Sequence, residues 1–172
     1  SRGLGDVYKR QPSNSTLPGE TAAQMRASIL FCAPLLARLG RAETSLPGGC
    51  NIGARPIDLH LEGLARMGAK ELDAGAGKLV LAAPGGLHGA DITLRFPSVG
   101  ATETLLLAAV CARGTTVLRG AAREPEISDL ADFLNRCGGR IEGAGTSTLR
   151  IEGRRGLSGC DFSPLPDRIF AS

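Results

Sequence analysis

The stretch SILFCAPLLARLG at residues 28–40 is similar to the stretch TETLLLAAVCARG at residues 102–114. Both stretches are predominantly apolar, and each ends at a glycine, the residue that most often follows the last turn of a helix. Similarity between two parts of one chain indicates a duplicated structural unit. The pair therefore predicts two equivalent, largely buried helices.

Similar segments follow both helices in the same order. A short strand is predicted from Ala42 and from Thr115, and an amphipathic helix is then predicted to begin at Pro56 and at Pro125. Two strand signals close each unit: residues 78–81 match 148–151, and residues 86–91 match 156–161. Each unit is thus predicted to run helix, strand, helix, strand, strand.

The two units differ at one loop. The separation between equivalent positions falls from 74 residues at Gly40 and Gly114 to 70 at residues 78 and 148, so the first unit carries four extra residues, around GGCNIG at 48–53. Three glycines between a strand and a helix pack poorly but suit a loop close to a ligand. The following helix start and Arg55 would stabilise a thiolate. We therefore predict that Cys50 is a reactive thiol.

The composition argues against several classes of protein. Hydrophobic residues make up 42% of the 172 residues, enough for a core, but the net charge is only +3 and the basic residues are scattered. Because aromatic residues make up only 3%, few could stack on bases, and nucleic acid is not an expected partner. No membrane partner is expected either, because no apolar run could cross a bilayer and no secretory signal is evident. Five cysteines without a CxxC pair predict neither a disulfide framework nor a zinc site, and favour a reducing cytoplasm.

Several polar residues allow two interpretations. Arg26 and Arg55 could bind phosphate through their planar guanidinium groups, or could be solvated surface charges. The run SVGAT at residues 98–102 could hold a phosphate group at a helix start, or its serine could simply cap that helix. Glu124 and Glu126 lie at a predicted helix start, where the helix dipole explains them without catalysis.

A structural role is expected for the remaining chemically capable side chains. His60 lies inside a predicted helix and would be functional only if it faces a ligand. Cys32, Cys111 and Cys137 lie on apolar helical faces, and Cys160 lies at a strand signal. Free cysteines in such positions are usually small buried hydrophobic residues.

Five motifs resemble those of the UDP-N-acetylglucosamine 1-carboxyvinyltransferase family. They are MRAS at 25–28, LPGGCNIGARPIDLH at 46–60, SVGAT at 98–102, AAREPEISD at 121–129 and LPDRI at 165–169. The resemblance covers nearly all of residues 24–169. The cysteine loop is its most specific part, whereas SVGAT alone would be weak.

The resemblance implies an α/β fold, classed as α+β in some schemes, that forms an inside-out α/β barrel. Members have two similar domains, each built from three βαβαββ units with the helices inside and the sheets outside. This chain would contain two of the three units of the first domain, and its partner would be the missing second domain of the same polypeptide. The expected organisation is non-native read-through at 1–11, a lead-in at 12–23, repeat units at 24–97 and 98–165, and the truncated start of an interdomain hinge at 166–172.

Members of this family transfer the enolpyruvyl group of phosphoenolpyruvate to the 3-hydroxyl of UDP-N-acetylglucosamine and release phosphate. This is the first committed step of peptidoglycan synthesis in the bacterial cytoplasm. The resemblance implies those two substrates, and no cofactor or metal is expected. Cys50 would be the catalytic thiol that protonates the phosphoenolpyruvate methylene carbon and that fosfomycin alkylates.

The resemblance also implies substrate contacts. Arg26 and Arg55 would hold the phosphate and carboxylate of phosphoenolpyruvate. The nucleotide-sugar pocket would be lined by Arg55, Pro56, Ile57, Asp58, Leu59 and His60, with Ser98, Val99 and Gly100 at the diphosphate. Near the site or the interdomain hinge would lie Glu124, Glu126 and Asp167.

Two alternatives stay open at this point. The sister enzyme that makes enolpyruvylshikimate phosphate shares the fold, but it lacks the cysteine loop, so Cys50 argues against it. The second alternative is an inert or merely ligand-binding fragment. The chain alone is expected to be inactive, because the family's aspartate base and a phosphate-binding arginine belong to the second domain. It is also expected to be marginally stable or self-associating, because losing one unit exposes apolar helical faces.

Overall fold

The computed structural model describes residues 14–17, 28–45, 57–73, 77–154 and 156–164. The helices in this part of the chain are α1 (Ser28–Leu39), α2 (Asp58–Arg66), α3 (Val99–Cys111) and α4 (Pro125–Arg136). The strands are β1 (Arg41–Ser45), β2 (Lys70–Leu72), β3 (Lys78–Ala82), β4 (Asp91–Thr93), β5 (Thr115–Arg119), β6 (Arg140–Glu142) and β7 (Thr148–Glu152). The helix, strand, helix succession predicted from the duplicated sequences is present in both halves.

The strands form two sheets with the same internal order. In the second sheet, β4 pairs in parallel with β5, and β7 and β6 follow as antiparallel neighbours. In the first sheet, β1, β3 and β2 are antiparallel neighbours. Residues 15–17 add the parallel neighbour of β1, because Glu43 N–H donates to Ser15 O at 2.7 Å and Leu17 N–H donates to Glu43 O at 2.9 Å. Each unit therefore has the βαβαββ order that the resemblance implies.

Helix α3 lies at the centre of the molecule. It packs against α1, α2, α4 and β7, and Leu105, Leu106 and Ala109 have no exposed surface. A helix that is apolar on all sides is stable only where other elements surround it.

In the second sheet, β7 buries one face, because Leu149 and Ile151 are buried and alternate with more exposed residues. In the first sheet, Leu79 and Leu81 of β3 belong to the main hydrophobic core, and Val80 between them is also buried. The helices therefore lie inside and the sheets outside, which confirms the α/β architecture.

Two short strands, β2 and β6, are missing from the sequence prediction. Each begins two residues after a glycine, Gly68 or Gly138, that follows an amphipathic helix. All three side chains of β2 are exposed, and only Ile141 is buried in β6. Because strands this short and this exposed show no run of alternating apolar residues, periodicity could not reveal them.

The strand signals at 86–91 and 156–161 are largely wrong. The first yields a strand only from Asp91, where β4 begins, and the second yields no strand. Gly86 and Gly156 have φ values of 73° and 91°, a backbone conformation that interrupts an extended strand. β4 also precedes the expected unit boundary at residue 98, although it belongs to the second sheet. No helix in the described ranges is both long enough and apolar enough to span a membrane.

Candidate functional site

The start of α3 is fixed by local hydrogen bonds. Ser98 is its N-cap residue, and its Oγ accepts from the Ala101 N–H at 3.3 Å. The Thr102 hydroxyl donates to the Ser98 carbonyl at 2.7 Å. Helix capping was one of the two interpretations of the SVGAT run, and it explains the position of the Ser98 side chain. The cap also fixes the position of the backbone N–H groups in the first turn of α3 that have no partner within the helix. Such groups bind anions favourably.

The first turn of α2 lies beside the start of α3. His60 Nδ1 is 2.9 Å from Thr104 Oγ1, and the same hydroxyl donates to the Gly100 carbonyl at 2.9 Å. A Cβ atom at Gly100 would lie 3.3 Å from His60 Cε1, so the lack of a side chain at Gly100 leaves room for the imidazole. The structure thus brings together two segments, at 57–60 and 98–100, that were expected to bind one ligand.

The hydrogen-bond network assigns the tautomer of His60. The Thr104 hydroxyl has one hydrogen, which goes to the Gly100 carbonyl, so Thr104 Oγ1 accepts from His60 Nδ1–H. Burial lowers the pKa of His60, and the nearby Asp58 charge opposes this only in part. The imidazole is therefore neutral at neutral pH. Its Nε2 is a hydrogen-bond acceptor at the start of α3.

Asp58 lies at the exposed edge of the same turn. Its carboxylate forms an ion pair with Arg95, whose guanidinium also lies 3.4 Å from a carboxylate oxygen of Glu62. The hydrogen bond from Arg95 is the main cause of the lowered pKa of Asp58. Arg95 was not among the sequence-predicted site residues. The basic residues are scattered along the chain, and the sequence does not show which of them pairs with Asp58.

The other residues at the start of α2 have packing roles. Leu59 is only 2% exposed and belongs to the main hydrophobic core, and Ile57 is half-buried and packs against that core. They fix the orientation of the turn, which directs Asp58 toward solvent and His60 toward α3. Any ligand contact of Leu59 would therefore involve its backbone.

The segment before α4 adjoins the same region. The Ala122 N–H donates to Thr102 Oγ1 at 3.1 Å, which links this segment to the first turns of α3. Glu124 is the N-cap residue of α4 but makes no capping hydrogen bond through its side chain. Burial raises the pKa of Glu103 on α3, and the charge of Glu126 raises it further. The charge of Glu126 therefore acts on α3 from the first turn of α4. Glu103 was missed because it lies in an otherwise apolar helix.

Five of the expected site residues lie outside the described part of the chain. They are Arg26, Cys50, Arg55, Pro56 and Asp167. Their roles stay predictions. Among the described residues, the candidate site consists of a neutral imidazole, an ion-paired carboxylate and the start of α3. This combination suits a ligand with hydroxyl and phosphate groups.

Residues 3–172 match the family model described as EPSP synthase (3-phosphoshikimate 1-carboxyvinyltransferase). The chain therefore belongs to the EPSP synthase family. It is 52% identical over 169 residues to UDP-N-acetylglucosamine 1-carboxyvinyltransferase 2 of Carboxydothermus hydrogenoformans, a match that covers 97% of this chain and 40% of that relative. It is 56% identical over 159 residues to UDP-N-acetylglucosamine 1-carboxyvinyltransferase of Acidiphilium cryptum, covering 92% of this chain and 38% of that relative. The chain thus spans about two fifths of the length of these relatives.

Solved structures show the same fold. The enolpyruvyl transferase NikO from Streptomyces tendae is similar with a TM-score of 0.74 and 26% identity, over 92% of this chain and 37% of that structure. EPSP synthase from Acinetobacter baumannii is similar with a TM-score of 0.60 and 20% identity, over 78% of this chain and 30% of that structure. The second likeness shows the fold alone. Both support the assignment to an enolpyruvyl transferase architecture.

Proposed function

We propose that the intact protein containing this chain transfers the enolpyruvyl group of phosphoenolpyruvate to the 3-hydroxyl of UDP-N-acetylglucosamine and releases phosphate. The observation that carries this proposal is the 52% identity over 169 residues to a relative named for that reaction. The described start of α2 supports it, because His60 contacts the start of α3 and Asp58 lies in the same turn of α2, as a nucleotide-sugar pocket formed by both segments would require. The reaction would belong to peptidoglycan synthesis in the bacterial cytoplasm.

In this proposal the reaction proceeds by addition and then elimination. The Cys50 thiol donates its proton to the methylene carbon of phosphoenolpyruvate, and the sugar 3-hydroxyl adds to the adjacent carbon to give a tetrahedral ketal. Loss of a proton from the methyl group and departure of phosphate then restore the double bond. Arg26 and Arg55 would bind the phosphate and carboxylate, which become more tightly held as charge develops.

The start of α3 would bind the diphosphate of the nucleotide sugar. Ser98 caps this helix, so the backbone N–H groups of Val99 and Gly100 belong to its first turn and have no partner within the helix. Asp58 would line the nucleotide-sugar pocket, and His60 would support the site through its acceptor nitrogen. Arg95 holds the Asp58 carboxylate in its ionised form.

The test compares Cys50→Ala with Cys111→Ala in the intact protein. Cys111 is a half-buried thiol at the other end of α3, so its removal controls for the loss of a thiol as such. Cys50→Ala should lower phosphate release by at least about 100-fold, the usual contribution of a general acid, and should abolish labelling by fosfomycin. Cys111→Ala should preserve both. Unchanged release and labelling in Cys50→Ala would refute the role of Cys50.

The choice of acceptor separates this function from that of the sister enzyme. Phosphate release from phosphoenolpyruvate should require UDP-N-acetylglucosamine and should not occur with shikimate 3-phosphate. The reverse preference would establish an enolpyruvylshikimate-phosphate synthase. The identities of 52% and 56% to relatives named for UDP-N-acetylglucosamine favour the first acceptor.

We also propose that the 172-residue chain by itself is inactive. It spans 40% of the length of the Carboxydothermus relative, and the resemblance places a base and a phosphate-binding arginine in the second domain. Phosphate release should therefore be undetectable with this chain alone and should appear with the intact protein. Turnover by the chain alone would show that it contains a complete site.

A further inference from the structure

Two cysteines from distant parts of the sequence meet at the C-terminal end of α4. Cys137 is the C-cap residue of that helix, and Cys160 lies in the segment that follows β7. Their sulfur atoms are 3.1 Å apart. Cys137 is only 5% exposed, whereas Cys160 is half-buried, so only the second thiol is open to a reagent in solution.

Contacts that do not involve sulfur hold the two segments together. The Ser158 N–H donates to the Cys137 carbonyl at 2.8 Å. The rings of Phe133 and Phe162 meet edge to face with centroids 5.3 Å apart, and the Arg136 guanidinium lies 5.5 Å from the centroid of the Phe162 ring. Aromatic and cation–π contacts of this kind are favourable. The two thiols are therefore placed side by side by their surroundings.

The remaining thiols in the described part of the chain have no such neighbour. Cys32 is fully buried on α1 and donates to the Ser28 carbonyl at 3.6 Å, and Cys111 lies at the end of α3. No group of three His, Cys, Asp or Glu suited to a metal ion occurs among the described residues. The pair at Cys137 and Cys160 is thus better suited to redox chemistry than to metal binding.

We propose that Cys137 and Cys160 form a reversible disulfide when the protein meets a two-electron oxidant of the peroxide class. The sulfur of Cys160, the accessible thiol, attacks one peroxide oxygen, the O–O bond breaks, and the products are a sulfenic acid and water. The sulfur of Cys137 then attacks the sulfur of Cys160, the S–O bond breaks, and a second water leaves with the Cys137 proton. Two thiols are oxidised and one peroxide is reduced to two waters. A small-molecule dithiol reverses the reaction by exchange.

The order of these steps follows from the surroundings of the two thiols. Burial and the contact with Cys160 raise the pKa of Cys137 to about 11, so Cys137 is protonated at neutral pH and is a poor first nucleophile. Its position beside Cys160 makes it the resolving thiol. The new bond would fix residues 156–164 against the end of α4 and would restrict the unfolded chain.

Peptide mapping tests this proposal directly, because each of the five cysteines falls in a different tryptic peptide. After treatment of the 172-residue chain with hydrogen peroxide, blocking of free thiols and digestion, residues 137–140 should be found linked to 156–168. The linked product should be about 2 Da lighter than the sum of the two peptides, and dithiothreitol should separate them. The oxidised chain should unfold at a temperature about 5–10 °C higher than the reduced chain.

Two variants and a denatured control test whether the disulfide forms selectively between Cys137 and Cys160 in the folded chain. Cys160→Ser removes a half-buried thiol and should abolish the linked product, whereas Cys111→Ser should preserve it. In guanidinium chloride the linkage should lose its selectivity and spread over all five cysteines. The proposal is overturned if the folded chain gives no linkage of 137–140 to 156–168, or gives the same mixture as the denatured chain.

Discussion

At the scale of single residues, Thr104 and Thr116 are both buried but differ in their hydrogen bonds. Thr104 contacts His60 and Gly100, whereas Thr116 Oγ1 has no partner among the residues that the structure describes. Burying a polar group that has no hydrogen-bond partner destabilises the folded state, so removing that group stabilises the protein. Removing a buried hydroxyl that has two partners breaks both hydrogen bonds and destabilises the protein. The same Thr→Val change should therefore have opposite effects at the two positions.

We predict that Thr116→Val raises the free energy of unfolding by about 1 kcal/mol and that Thr104→Val lowers it by about 1–2 kcal/mol. Urea denaturation of the two variants and the parent measures both changes. Each variant serves as the control of the other, because the volume change is the same. Equal destabilisation by both would show that Thr116 has a partner in the folded protein.

His60 should make stability depend on pH. Burial lowers its pKa in the folded state, so between that pKa and the ordinary histidine value of about 6.5 the unfolded chain binds more protons than the folded chain. The free energy of unfolding should therefore be highest above this window and should fall as the pH decreases through it.

Urea denaturation at several values between about pH 7.5 and pH 5 measures the effect, in the range where histidine titrates. His60→Gln should flatten the dependence, whatever its effect on stability at pH 7.5. His88→Gln is the matched control, since His88 is the other of the two histidines and is exposed. If His60→Gln and the parent show the same slope, His60 does not titrate differently in the folded state.

At the scale of helices and strands, α2 and α3 cross very closely at Gly63. A Cβ atom at Gly63 would lie 2.4 Å from Leu105 Cδ2 and 2.6 Å from Leu105 Cδ1. Leu105 has no exposed surface, so its side chain has little room to move. This approach holds the first turn of α2, and with it His60, against α3.

Gly63→Ala should destabilise the protein by up to about 2 kcal/mol. The overlap with Leu105 costs about 1–3 kcal/mol, and the gain in helix propensity of about 1 kcal/mol only partly offsets it. In a Leu105→Ala background the overlap is absent, and the same change should stabilise by up to about 1 kcal/mol. A double-mutant cycle measured by urea denaturation decides the point. Destabilisation of the same size in both backgrounds would exclude the overlap as the cause.

At the scale of the whole molecule, two equivalent units share one core. That core joins Leu36 on α1 and Leu79 on β3 to Leu105 on α3 and Leu149 on β7. Yet α1 also presents two large apolar side chains to solvent, Phe31 at 47% and Leu39 at 37% exposed. Large apolar side chains exposed on one helix favour association with another copy of the chain.

We therefore predict that the 172-residue chain self-associates and that Phe31→Ser reduces the association. Sedimentation velocity over a range of protein concentrations measures it. Leu72→Ser, a comparable change at the exposed strand β2, should have a smaller effect. A monomeric parent chain that melts in one cooperative transition would contradict the prediction.

The duplicated apolar helices predicted most of the fold. Gly40 directly follows α1 as predicted, whereas α3 ends at Cys111 with Ala112 as its C-cap residue, so the predicted glycine cap at Gly114 is wrong. Helix periodicity and capping are local properties, so α1, α3 and α4 could be placed from residues adjacent in the chain. Pro125 begins α4 as predicted. The exposed strands β2 and β6 could not be predicted, because their pairing with a neighbouring strand leaves no pattern in their own residues.

The candidate site was only partly predictable. The segments 57–60 and 98–100 were expected at one site because of the resemblance, and the contact of His60 with Thr104 and Gly100 brings them together. Arg95 and Thr104 were missed, since nothing in their local sequence identifies their partners. The positions of Arg26, Cys50 and Arg55 stay predictions.

The sequence by itself determined the duplication, the two buried helices and the four-residue insertion around Cys50, because each depends on short-range order along the chain. Only the tertiary structure decided which side chains meet. His60 and Thr104 are 44 residues apart, Arg95 and Asp58 are 37 apart, and Cys137 and Cys160 are 23 apart. Residues so far apart in the sequence come into contact only when the two units pack around α3, so the packing of all the elements together determines these pairs.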